Sequence, residues 1–275
     1  MNTGFIGTGN MGRILIEAFL EAEILKPSSM FITNRTIDKA IKIKKTYPSI
    51  NIVENHEELA GQSKILFICV KPLDIHPLLD RLRPQLTKEH CIVSITSPFS
   101  VTQLERLVNC QVARVIPSIT NRALAGVSLI TYGNRCSQSI RKDIEGLFEA
   151  ISTPIKIEED VTRISSDIVS CGPAFLSYIL QQFIDAAVKE TRISRGQAIQ
   201  LTSEMVIGLG KLLEKEIYTL PTLQDKVCVK GGVTGEGIKV LESEIGDMFE
   251  KLFQSTHAKY YEDIKEINEQ FESHK

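Results

Sequence analysis

The chain has 275 residues, 43% of them hydrophobic and 24% charged, and its 32 basic against 34 acidic side chains leave a formal net charge of −2. This composition supports a sizeable core and two domains, and excludes disordered, collagen-like and low-complexity classes. Near-neutral charge without clustered Lys/Arg excess argues against a nucleic-acid surface, and the longest apolar run, Ile65 to Val70, is far too short to span a membrane.

The N-terminus enters an apolar strand by residue 4 without a signal-peptide layout, so the expected location is the cytoplasm. Six cysteines (69, 91, 110, 136, 171 and 228) form no C-x-x-C pair and read as reduced structural thiols. The five histidines lack metal-ligand spacing, so no metal is expected.

Gly4-Phe5-Ile6 is a strand start, followed by Gly7-Thr8-Gly9-Asn10-Met11-Gly12 and a helix from Arg13. Strand, G-x-G-x-x-G and helix in that order is the arrangement a dinucleotide requires. The first glycine makes a tight turn, the second admits a pyrophosphate against bare backbone, and the third lets helix and strand pack closely. The amides and positive dipole end of the helix then hold the phosphates.

The second strand, residues 30–34, ends where an NAD site would place a carboxylate for the ribose 2′-hydroxyl. Here the tip is Asn34-Arg35-Thr36, which suits a 2′-phosphate and favours NADPH, with NADH as the alternative. Strand runs follow at 50–53, 64–70, 91–96, 113–117 and 126–132, alternating with helical stretches near 37–46, 73–82, 101–107 and 137–149. The pattern predicts a mostly parallel, doubly wound Rossmann-type sheet. Ligands in such sheets sit beyond the carboxyl ends of the strands, at the loops after Val70, Thr96 and Ile116. Each of those loops carries a proline that terminates the strand or contacts the ligand.

A last strand at 154–157 precedes a change of pattern. Helices are expected from Cys171-Gly172-Pro173 to about Val188, from Arg195 to Glu214, and from Gly237 to about Glu272. The reading is thus α/β, with a dinucleotide-binding domain over 1–158 and an all-helical dimerisation and substrate-binding domain over 159–275. The stretch from Ala174 to Val188 is apolar nearly all round and needs burial on every side, which a second copy supplies more readily than the thin helical domain itself. The segment Gly231-Gly232-Val233-Thr234 leaves backbone amides free for a carboxylate. As a bare turn, it would instead use Thr234 as a helix cap.

Together these motifs resemble the pyrroline-5-carboxylate reductase family from end to end, and more narrowly its ComER-type late-competence relatives. The carrying motifs are Gly4 through Gly12, Val70-Lys71-Pro72, Gly172-Pro173-Ala174-Phe175 and Gly231-Gly232-Val233-Thr234. The resemblance implies NADPH-dependent hydride transfer to a small cyclic imine, 1-pyrroline-5-carboxylate, giving proline. It also implies an interlocked homodimer, in some members a larger ring of dimers. Residue by residue, it assigns Gly7, Gly9, Asn10, Met11 and Gly12 to the pyrophosphate and Asn34, Arg35 and Thr36 to the adenosine phosphate. Val70, Lys71 and Pro72 go to the nicotinamide ribose. Gly231, Gly232 and Val233 go to the substrate carboxylate, and Thr234, the candidate catalytic residue, to the imine nitrogen.

Several positions depart from the family pattern. Val229-Lys230 stands where Ser-Pro is usual, Pro117-Ser118-Ile119-Thr120 where Pro-Asn-Thr-Pro is usual, Ser97-Pro98 where Ala-Gly is common, and Ser170-Cys171 where Gly-Ser is usual. The alternative reading is therefore a cofactor-binding homologue with little catalysis, acting in a regulatory or competence-related role.

Overall fold

A computed structural model describes residues 1–273. In chain order it contains β1 (Thr3–Ile6), α1 (Asn10–Glu21), β2 (Met30–Thr33), α2 (Ile37–Thr46), β3 (Asn51–Ile52), α3 (His56–Gln62), β4 (Ile65–Ile68), α4 (Pro72–Leu82), β5 (Cys91–Ser94) and α5 (Val101–Leu107). These are followed by β6 (Gln111–Ile116), β7 (Val127–Tyr132), α6 (Gln138–Glu149) and β8 (Thr153–Lys156). The rest is helical: α7 (Thr162–Ser166), α8 (Gly172–Glu190), α9 (Arg195–Glu214), α10 (Leu220–Val227), α11 (Val233–Glu244) and α12 (Met248–Ser273).

The strands form one sheet in the order β3-β2-β1-β4-β5-β6-β7-β8. Every pairing is parallel except β6 with β7. The order reverses between β1 and β4, which creates the crevice where doubly wound sheets hold ligands. Because both faces are covered, β1, β4, β5 and β6 are buried along their whole length. Phe5 stacks on Phe67 with ring centroids 4.8 Å apart, and Phe19 and Phe148 close the same cluster.

The chain divides into two compact units, Met1–Pro173 together with the chain from Ser255, and Ala174–Gln254. The sequence reading placed a single boundary after residue 158. By packing, α7 stays with the sheet, and the last helix returns to it because Ile267, fully buried, joins the apolar cluster of Leu79, Phe99 and Leu104. No helix of the described residues is long and apolar enough to cross a membrane.

Two helical features differ from expectation. The single helix expected from Gly237 is two, because Gly246 at φ +48° ends α11 in the left-handed conformation that glycine adopts freely. Ahead of α8, residues Asp167–Cys171 form a π-helical turn that the sequence reading did not anticipate. Its cause lies in Pro173, whose missing N–H cannot serve the carbonyl of Val169. That carbonyl accepts instead from the Ser118 hydroxyl at 2.8 Å, and the Ser170 hydroxyl donates to the Pro117 carbonyl at 2.9 Å. The loop after β6 and the π turn are thereby clasped together.

Candidate functional site

The three glycines after β1 each meet different surroundings. Gly7 has φ +100°, and a Cβ there would lie 2.5 Å from the Cys69 carbonyl oxygen. At Gly12 a Cβ would lie 2.3 Å from the Gly7 carbonyl oxygen and 3.0 Å from Cys69 Cβ, so helix and loop touch backbone to backbone. Around Gly9 there is open space. A tight turn, an unobstructed approach and a close packing contact are the three features a pyrophosphate cradle needs.

Helix α1 starts at Asn10 with Gly9 as its N-cap and no side-chain cap. The first-turn amides, including those of Met11 and Gly12, have no carbonyl of their own helix to bond. The preceding Thr8 N–H is already used, donating to Asn34 Oδ1 at 2.8 Å, while Asn34 Nδ2 donates to the Thr36 carbonyl at 2.8 Å. Asn34 therefore ties the glycine loop to the tip of β2, using its amide oxygen and one of its two N–H groups. Arg35 beside it is exposed and makes no hydrogen bond or ion pair among the described residues.

Val70 packs toward Gly7, its Cγ1 lying 3.4 Å from where a Cβ would be. Lys71 is the N-cap of α4 and Pro72 its first residue, a position where the missing proline N–H costs nothing. Burial pushes the Cys69 thiol well above its ordinary range, so no thiolate opposes an anion at the glycine loop. The structure thus brings Gly7, Gly9, Asn34 and Val70 to one edge of the sheet, with Lys71 and Pro72 following.

The second glycine loop lies in the helical unit. Gly231 has φ +77° and the Gly232 N–H donates to the Val229 carbonyl at 2.9 Å, which is the pattern of a type II turn with Lys230 in its second position. Gly232 is the N-cap of α11, without a side-chain cap, so Thr234 falls within the first helical turn. The alternative of Thr234 as a helix cap is thereby corrected: the turn ends at Gly232, and α11 starts at Val233. The Gly232 amide is spent in the turn, whereas those of Val233 and Thr234 have no helical partner. The Thr234 hydroxyl makes no hydrogen bond among the described residues, and Val229 covers Gly232 with Cγ2 3.0 Å from where a Cβ would sit.

Sequence reasoning missed the polar groups that hold the loop after β5. Arg114, only 2% exposed, donates from Nη1 to the Ser97 carbonyl at 3.1 Å and from Nη2 to Thr162 Oγ1 at 2.7 Å, with Glu159 at 3.6 Å. Burial lowers its pKa and Glu159 opposes the shift. Fully buried Asp167 accepts from Arg163 at 2.8 Å and from Thr256 Oγ1 at 2.8 Å. One signal for Arg114 was available: a guanidinium within a β-rich apolar run must find buried partners.

Residues 159–263 match a family model described as pyrroline-5-carboxylate reductase dimerisation, and residues 2–98 match one described as NADP oxidoreductase, coenzyme F420-dependent. The chain is 61% identical to ComE operon protein 4 of Bacillus subtilis (strain 168), over 98% of this chain and 99% of that protein. It is 28% identical to pyrroline-5-carboxylate reductase 3 of the same organism, over 94% of each. Among solved structures it is similar to Plasmodium falciparum pyrroline carboxylate reductase with NADP bound, at TM-score 0.80 and 23% identity, over 97% of this chain and 98% of that one.

Proposed function

Because this chain belongs to the pyrroline-5-carboxylate reductase family, we propose that it binds NADPH and reduces 1-pyrroline-5-carboxylate, or a closely related cyclic imine, to the corresponding amine. The observation that supports this most directly is the glycine loop after β1, whose three glycines each have the surroundings that a dinucleotide demands. NADPH, when bound, supplies the hydride for the C=N carbon.

The protein's part is to hold and orient. Gly9, Asn10, Met11 and Gly12 offer open space and uncapped amides to the pyrophosphate. Arg35 is the free cation for a 2′-phosphate, supported by the Thr36 hydroxyl, with Asn34 acting indirectly by fixing the loop. Val70, Lys71 and Pro72 border the second ribose. In the helical unit, Val233 and Thr234 amides receive the imine's carboxylate, with Gly231 and Gly232 shaping the turn. The Thr234 hydroxyl hydrogen-bonds the imine nitrogen. Orientation of this kind is worth many orders of magnitude without a dedicated acid or base.

The working form is a homodimer on this reading. Within Ala174–Gln254 the buried apolar side chains are Ile184 and Ala198, while Leu176, Tyr178, Phe183 and Leu201 are each at least 60% exposed. A surface so apolar finds its burial against a second copy.

A second reading rests on Val229 and the committed Gly232 amide. Together they leave the second loop with one hydroxyl and one amide fewer for a carboxylate, as suits a cofactor-binding homologue with little catalysis in a competence-related role. A steady-state assay with purified protein, NADPH and pyrroline-5-carboxylate separates the two: turnover supports the reductase, and binding without turnover supports the homologue.

A further inference from the structure

Residues 255–273 of α12 reach the loop after β5 and the first turn of α4, which follows β4, at the carboxyl edge of the sheet. Tyr260 Oη donates to the Ser97 carbonyl at 3.3 Å, the same oxygen that accepts from Arg114. Gln270 Nε2 donates to the Leu73 carbonyl at 3.1 Å, immediately after Lys71-Pro72. Between them Ile267 is fully buried, and the ring of Phe271 lies 5.4 Å from that of Phe99 in the loop after β5. Positions 260, 267 and 271 share one face of the helix.

These contacts have a direction. In a sheet of this strand order the adenosine half of a dinucleotide lies toward β2, and the second mononucleotide lies over β4 and β5. The segments that α12 holds, which follow β4 and β5, are thus those bordering the nicotinamide half. The Ser97 carbonyl lies in the loop after β5, whereas the Leu73 carbonyl lies in the first turn of α4, where the residue four positions on, Pro77, has no N–H to offer it, so Gln270 supplies the donor that the helix lacks and fixes the start of α4. Burial keeps the Tyr260 hydroxyl protonated by raising its pKa, with Glu159 acting in the same direction and Arg114 against it.

We propose that Tyr260 and Gln270 are positioning residues for the nicotinamide half of the cofactor, acting through the Ser97-Pro98 loop and the first turn of α4 that follows Lys71. The inference rests on the dinucleotide reading above, and deepens it by assigning part of the cofactor cleft to the C-terminal helix.

The test is calorimetric titration of the natural protein and of a Tyr260→Phe, Gln270→Met double variant with two ligands: NADPH, and 2′-phospho-ADP-ribose, which lacks the nicotinamide. The double variant keeps both apolar frames and removes both donors. NADPH binding is expected to weaken about three- to tenfold, the scale of one or two lost hydrogen bonds, while the fragment binds as before. Ile267→Ala serves as the structural control, lowering Tm and weakening both ligands together. Unchanged NADPH affinity in the double variant, or parallel loss for both ligands, overturns the positioning role. If the natural protein binds neither ligand, the dinucleotide reading itself fails, and this proposal with it.

Discussion

Two glycine loops feed uncapped helices in this molecule, and they are held in different ways. The loop after β1 is locked by contact with its own unit: Gly7 and Gly12 are hemmed by the Cys69 and Gly7 carbonyls, and Asn34 pins Thr8. The loop before α11 is held only by local backbone hydrogen bonds, from Gly232 to Val229 and from Val229 to Val227, with Gly231, Gly235 and Gly237 in open space and Val233 89% exposed. The first has its shape from the chain alone. The second sits in a unit whose apolar faces are uncovered, and the proposed second copy completes it.

The sharpest break of this comparison is Phe183→Glu on α8. Phe183 is 63% exposed in the single chain, where a substitution changes stability by only about 0.5 kcal/mol. If a second copy covers it, an unpaired charge is buried and dimerisation weakens by about 3 kcal/mol or more, over a hundredfold in Kd. Light scattering across a dilution series shows dissociation in that case; an unchanged dimer removes the argument from exposed apolar faces.

Next in size is the pair Gly12→Ala and Gly9→Ala. The first forces a Cβ onto a backbone oxygen at 2.3 Å and is expected to cost about 1–3 kcal/mol of stability as well as cofactor binding. The second meets open space, so Tm holds while NADPH affinity falls. Thermal melts with and without NADPH distinguish them, and equal Tm losses would mean that Gly9 has a structural task instead.

Arg35→Ala is expected to weaken NADPH about tenfold, the scale of one charge-assisted hydrogen bond at an exposed site, and to leave NADH binding within about twofold. Parallel titrations with the two cofactors read this directly. Equal losses would place the 2′-phosphate elsewhere.

The smallest effect concerns the second loop. Lys230 occupies the position of a type II turn that proline favours, so Val229→Ser with Lys230→Pro is expected to stabilise the fold by about 0.4–1 kcal/mol through the proline and to raise Tm slightly. Reductase activity should rise a few-fold through the restored hydroxyl. Lower Tm would show that the turn is not the type inferred from Gly231.

The sheet was largely legible in the sequence because buried parallel strands read as short apolar runs, and the positions of β1, β4, β5 and β6 follow from that alone. The glycine spacing after β1 was legible in the same way, and the three glycines have the tight turn, the open approach and the close packing expected of them. Less legible were features set by partners distant in the chain. The π turn depends on Ser118 reaching Val169, the fixing of Ser97 on Arg114 and Tyr260, and the return of α12 on Ile267. Asn34 illustrates the limit at single-residue scale. Its type suggested a phosphate contact, whereas its bonds to Thr8 and Thr36, which tie the glycine loop to the tip of β2, were not legible from type alone.

The central claim, that an imine is reduced with Thr234 at its nitrogen, is tested most directly by NADPH oxidation at saturating pyrroline-5-carboxylate, measured for the natural protein and for Thr234→Ala. The account predicts turnover in the natural protein and a loss of about ten- to a hundredfold in kcat/KM in the variant, the size of one hydrogen bond to a charged group felt at the transition state. Unimpaired turnover in Thr234→Ala, or NADPH binding with no turnover in the natural protein, would contradict it.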